Sequence, residues 1–165
     1  MKRQGRTAAE AATRRSGRAP DEAGTAGGMT MLQSLLGFNV RRAQVVLSRD
    51  FQRQVGQGKV RPVVFCILVL AEAQPGIAQV DLTRKLALDK ASVVALVDRI
   101  EGAGFVERRR STLDRRRQGL FLTPLGLQRL KSLKDDVARH ERSFQERYSA
   151  EELAMLMGLL RRLYE

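Results

Sequence analysis

From residue 77 onward the apolar spacing runs at three to four residues, drops to a strand-like pattern after 104, and returns to helical spacing at Thr123-Pro124. Ile77, Val80, Leu82 and Leu86 mark one short helix, and Val93, Leu96, Val97 and Ile100 mark a second. Asp89 is placed to cap the second helix, and Gly102-Ala103-Gly104 to stop it. Residues 105–110 and 118–123 then read as two strands flanking Ser111-Thr112-Leu113-Asp114, a β-hairpin. Thr123-Pro124 opens the next helix, an N-cap followed by proline at the first helical position.

Helix, corner, helix, hairpin is the order of a winged helix-turn-helix, a module that lays its second helix in the DNA major groove with the hairpin over the adjacent backbone or minor groove. Long helices flank it. Leu32, Leu35, Leu36, Val40, Ala43, Leu47 and Phe51 predict one continuous first helix that fades at Gly56-Gln57-Gly58. The run at 63–71 is apolar all round, so its period cannot separate a buried strand from a buried helix; Ala71-Glu72-Ala73 before Pro75-Gly76 favours the helix. After Thr123, Leu127, Leu130, Leu133, Val137, His140, Phe144 and Tyr148 keep helical spacing. A capping box from Ser149 to Glu152 opens a last helix with Leu153, Leu156, Met157, Leu160, Leu163 and Tyr164 on its face. The fold class is therefore mostly α with a small β-hairpin wing. Four segments follow: a disordered basic arm at 1–28, which contains no Leu, Ile, Val, Phe or Tyr; a first helix at 29–58; the winged module at 59–123; and C-terminal helices at 124–165.

Charge narrows the function. Lys and Arg outnumber Asp and Glu by 30 to 18, which favours a polyanionic partner. Residues 108–117 hold six arginines and one aspartate, a density whose mutual repulsion phosphates relieve. One cysteine and one histidine exclude a disulfide framework and a thiolate metal cage and leave little for triad chemistry, and neither a glycine-rich phosphate loop nor a carboxylate pair stands out. The nine-residue run at 63–71 falls short of the roughly 20 apolar residues a bilayer span needs, and no signal peptide is apparent. A soluble cytoplasmic protein without enzymatic activity, cofactor or metal is expected.

At this point a resemblance becomes specific. Val97-Asp98-Arg99-Ile100-Glu101 before Gly104-Phe105-Val106, the pair Asp114 and Arg116, and Leu122-Thr123-Pro124-Leu125-Gly126 stand in the order and spacing of the MarR family of bacterial transcription regulators, over residues 32–165. The resemblance implies a homodimer held by the first and last two helices, which agrees with aliphatic faces wider than a winged module can cover. Two-fold symmetry then implies a pseudo-palindromic operator. With Val93, Leu96, Val97 and Ile100 inward, the DNA-facing candidates are Lys90, Ala91, Ser92, Val94 and Ala95, with Lys90 and Ser92 meeting phosphate. The family commonly carries polar residues where this chain has Val94 and Ala95, so thymine-methyl contact replaces some hydrogen-bonded reading. Arg99 pairs with Asp114 or touches phosphate. Arg108, Arg109, Arg110, Arg115 and Arg117 act as a set, Arg116 enters the minor groove, and Asp114 orients its neighbours.

The family also implies a small anionic aromatic effector, or its CoA thioester, that releases a repressor from its operator. Its candidate wall is Phe38, Arg41, Arg42, Arg49 and Phe51, with Phe65 or Cys66 opposite; a solvated helix face is the plain alternative for the arginines. Two other functions stay open: an architectural or adaptor winged-helix protein without inducer, and a redox sensor using Cys66. Against the second, Cys66 sits inside an apolar run where a thiol has little thiolate character. His140, on a core stripe, is expected to be structural.

Overall fold

The computed structural model describes residues 22–110 and 118–165, so residues 1–21 of the arm expected at 1–28, and residues 111–117 with the turn expected at 111–114, lie outside the described residues. The elements in order are α1 (Glu22–Ser34), α2 (Leu36–Gln54), α3 (Pro62–Ala73), β1 (Ile77–Ala78), α4 (Gln79–Leu86), α5 (Lys90–Gly102), β2 (Val106–Arg110), β3 (Gln118–Leu122), α6 (Pro124–Gln145) and α7 (Ala150–Arg161). A single 3-10 turn, Gly56–Gly58, follows α2. The chain divides into two units, Met1–Ala43 and Gln44–Glu165, with the boundary inside α2.

In the first unit, helix begins at Glu22, inside the segment assigned to the arm, and the single long helix expected from Leu32 is interrupted at Leu35. Local polar side chains account for the break. Ser34 Oγ donates to the Met31 carbonyl at 2.7 Å, and Asn39 Nδ2 donates to the carbonyls of Gln33 and Leu35 at 2.7 and 2.8 Å. Such bonds satisfy backbone groups that a continuous helix would pair with its own amides.

The second unit holds the core. The run at 63–71 is helical: Pro62 occupies the first turn of α3, where a missing amide costs nothing, and Val64, Ile67, Leu68 and Ala71 bury one stripe. Against it pack Leu82 from α4, Val93, Val97 and Ile100 from α5, and Leu130 and Leu133 from α6. Each fully buried aliphatic side chain contributes about 1.5–3 kcal/mol by leaving water. The sheet order is β1-β3-β2, antiparallel throughout, with Val106 opposite Leu122 and Arg110 opposite Gln118.

Ile77, expected on a helix face, instead lies in β1 opposite Leu120, and helix begins only at Gln79. Val80, named with it, is exposed, as are Leu127 and Tyr148 on the following stripe. A two-residue strand has no period to detect. It exists because the Gly76 amide donates to the Leu120 carbonyl, 44 residues away in sequence, at 2.9 Å.

His140 is structural, as expected, and 2% exposed. Its ring stands edge-on to Phe51 and Phe144, with centroids 5.4 and 5.2 Å apart, and its Nδ1–H donates to Asp50 Oδ2 at 3.0 Å, joining α6 to α2.

Candidate nucleic-acid interface

Helix α5 is fastened at both ends and open along one side. Asp89 caps it: the Ser92 amide donates to Oδ1 at 2.8 Å and the Ser92 hydroxyl to Oδ2 at 2.6 Å. These bonds, the hydroxyl first, hold the Asp89 carboxyl below the usual carboxylate range against a small desolvation effect. At the other end, Phe105 N–H donates to the Ile100 carbonyl at 3.0 Å and Gly104 N–H to Glu101 at 2.8 Å, the paired bonds of a Schellman stop. Gly104 supplies the left-handed backbone this requires, with φ of 75°.

Between these anchors Val93, Val97 and Ile100 are buried, while Lys90, Ala91, Ala95, Asp98 and Arg99 are exposed and Ser92 and Val94 are half-buried. The structure thus brings the α5 candidates onto one accessible side. Ser92 differs from its expected part, because its one hydroxyl proton is committed to Asp89 and is not free for a phosphate.

The preceding corner is tight. Leu88 N–H donates to the Thr83 carbonyl at 3.1 Å, and Ala87 sits at φ of 49°. A left-handed alanine costs roughly 1–2 kcal/mol, held here by the packing of α4 against α5.

The arginines of β2 separate into different roles. Arg108, one of the expected DNA contacts, bridges Asp98, at 2.5 Å, and Glu101 of α5 through its guanidinium, and its amide donates to Glu101 Oε1 at 3.0 Å. Its side chain is only 19% exposed. Two carboxylates one turn apart on α5 therefore consume this cation and lock the hairpin to the helix. Arg109 is exposed, pairs with Glu107 and lies over the Phe121 ring at 4.9 Å. Arg110 pairs through its backbone with Gln118. Asp114, Arg115, Arg116 and Arg117 lie outside the described residues.

The residues expected to line an effector site fall in both units. In the first, Arg42 lies over the Phe38 ring at 5.7 Å and Arg41 is exposed. In the second, Arg49 is exposed, Phe65 is half-buried against the core, and Phe51 is 6% exposed, its ring spent on His140. Burial pushes the Cys66 thiol above its ordinary value, which disfavours the thiolate that oxidation requires. Reading the sequence overlooked Lys59, Arg61 and Arg129, which line a cleft with Arg99; their separation in the chain leaves no periodic signal.

Among the described residues no group of three or more His, Cys, Asp or Glu could hold a metal, and no helix is long and apolar enough to cross a membrane.

The MarR family model matches residues 62–117. A putative transcriptional regulatory protein for the hcr operon of Thauera aromatica is 36% identical over 130 residues, 78% of each chain. The transcriptional repressor CouR bound to a 23-mer DNA duplex superimposes with a TM-score of 0.78 at 33% identity, covering 83% of this chain and 97% of that one. CouR bound to p-coumaroyl-CoA gives a TM-score of 0.74 at 32% identity, covering 80% and 93%.

Proposed function

The chain belongs to the MarR family of transcriptional regulators, and we propose that it is a homodimeric repressor, released from a pseudo-palindromic operator by a small effector. The observation that carries this reading is α5, buried through Val93, Val97 and Ile100 on one side and open on the other. Lys90, Ala91, Val94 and Ala95 meet base edges and backbone in the major groove, and Arg99 meets phosphate. Arg109 adds an exposed cation beside α5, Arg116 enters the minor groove, and Arg110, Arg115 and Arg117 act with them as a cationic set on the DNA. The DNA complex of CouR supports this mode.

Dimerisation is supported by the apolar exposure of α7, where Met155, Leu156, Met157, Leu159 and Leu160 are all open in the single chain. Two α5 helices then address half-sites about 10 bp apart. Release by an anionic aromatic compound, or its CoA thioester, is supported by the CoA-ester complex of CouR. An effector that favours the DNA-incompetent state by about 2.7 kcal/mol weakens binding a hundredfold.

Footprinting on the chain's own promoter region, repeated with p-coumaroyl-CoA and related aromatic CoA esters and free acids, tests the proposal. A discrete two-fold protected site that one of these compounds clears is the expected result. Uniform coating that no compound affects would instead identify an architectural protein without inducer.

A further inference from the structure

Helix α5 has a flank on each side of its exposed face. On one flank Asp98 and Glu101 hold Arg108 of the hairpin. On the other, Arg99 and Ala103 enter the lining of a cleft of about 420 Å³. Ala91, Ala95 and Arg99 recur every fourth residue and are all exposed, so one row of α5 runs along the open face to this cleft. Three further cations line it from elsewhere in the second unit: Lys59 after the 3-10 turn, Arg61 before α3 and Arg129 in α6. The lining contains no Asp or Glu. Asp98 and Glu101 are taken by Arg108, and Asp136 accepts from the Gly56 amide at 3.0 Å and pairs with Arg139. Among the described residues Lys59, Arg61 and Arg99 have no ion pair, and Arg129 reaches the Gly56 carbonyl at 3.3 Å. Val60, Val64 and Ile100, at the base of the cleft, belong to the core.

We propose that this cleft seats the sugar-phosphate backbone of duplex DNA on the side of α5 away from the hairpin. The seat rests on the operator reading above and adds Lys59, Arg61 and Arg129 to it. A helix in a major groove about 12 Å wide has a backbone on each side. The arginines of the hairpin serve one backbone, and four cations with no carboxylate among them stand on the flank that meets the other. Like charges gathered in this way repel one another, and phosphates remove the repulsion while releasing condensed counterions. Lys59 and Arg61 also precede the first turn of α3, which lacks a side-chain cap and adds its partial positive charge beside them. Contacts of this kind carry no sequence information; they fix where α5 lies along the groove. Such anchoring has more to supply in this chain, because the side chains of Val94 and Ala95 offer no hydrogen bond to a base edge.

Salt titrations of DNA binding by fluorescence anisotropy, with the full chain on its own promoter duplex and on a scrambled duplex, test the seat. Lys59→Gln with Arg61→Gln removes two exposed cations that have no ion pair to lose among the described residues, so the thermal melt should not move. Affinity should fall roughly thirtyfold at ~0.15 M salt on both duplexes, and the slope of log affinity against log salt should shrink by about 1.8, the counterion release of two phosphates. Arg61→Gln alone should shrink the slope by about 0.9. Arg142→Gln removes an exposed charge about 20 Å along α6 from Arg129 and should leave the slope as it is. A slope that the double variant leaves unchanged, or lowers no more than Arg142→Gln does, would overturn the seat and leave the operator reading intact. A loss confined to the promoter duplex would make these side chains base readers and also overturn it. A native chain that binds neither duplex at ~0.05 M salt would overturn the seat and the operator reading together.

Discussion

A Cβ built on Gly126 would stand 1.8 Å from the Phe105 carbonyl oxygen. Thr123 next to it accepts from the Gly126 amide at 2.9 Å and donates to the Gly104 carbonyl at 2.6 Å. The Leu-Thr-Pro-x-Gly signature is thus a clasp that closes α6 onto the turn after α5, and no side chain fits inside it. Gly126→Ala should cost about 3 kcal/mol, read from the urea midpoint, because the obstacle is backbone and cannot rotate away. Asp50 supports a second prediction. Burial alone would raise its carboxyl pKa, but hydrogen bonds from His140 and Gln54, with the charges of His140 and Arg53, hold it below the usual value. A depressed folded pKa adds stability above the unfolded value of about 3.9, and this is lost as pH falls through the folded one. Asp50→Asn should therefore flatten the acid limb of the stability profile below about pH 4. An unchanged limb would remove this pair from acid unfolding.

At the level of single elements, Arg108 ties β2 to α5 through Asp98 and Glu101. Arg108→Gln leaves Asp98 and Glu101 without their cation and should cost about 1–3 kcal/mol of stability. Arg109→Gln, at an exposed cation, should lower operator affinity and salt slope with little change in the melt. Reversal of those two outcomes would return Arg108 to the DNA interface. Most elements were legible from local signals. Asp89, Thr123-Pro124 and the Ser149–Glu152 box each cap the helix they were expected to cap, because a cap is made by residues three positions apart. β1 and the break at Leu35 were not legible. The first depends on a strand more than 40 residues away, and the second on Ser34 and Asn39 side chains bonding carbonyls that periodicity ignores.

For the molecule as a whole, the apolar surface left open on α7 asks for a partner, and a second copy is the proposed one. Leu156→Glu with Leu160→Glu should yield a monomer by light scattering after gel filtration. Operator affinity should then fall by about a hundredfold, since both half-sites no longer bind as one ligand. A stable dimer in that variant would move the interface elsewhere. Order and type of the main helices, the hairpin, and the cationic character of the chain follow from composition and short-range spacing, because caps, turns and amphipathic periods act over a few residues. Which cations remain available did not follow. Arg108 is neutralised by carboxylates on another element, Ser92 gives its proton to a cap, and Lys59, Arg61, Arg99 and Arg129 gather around one cleft. Those outcomes depend on distances between elements, and only packing of the core brings the elements together.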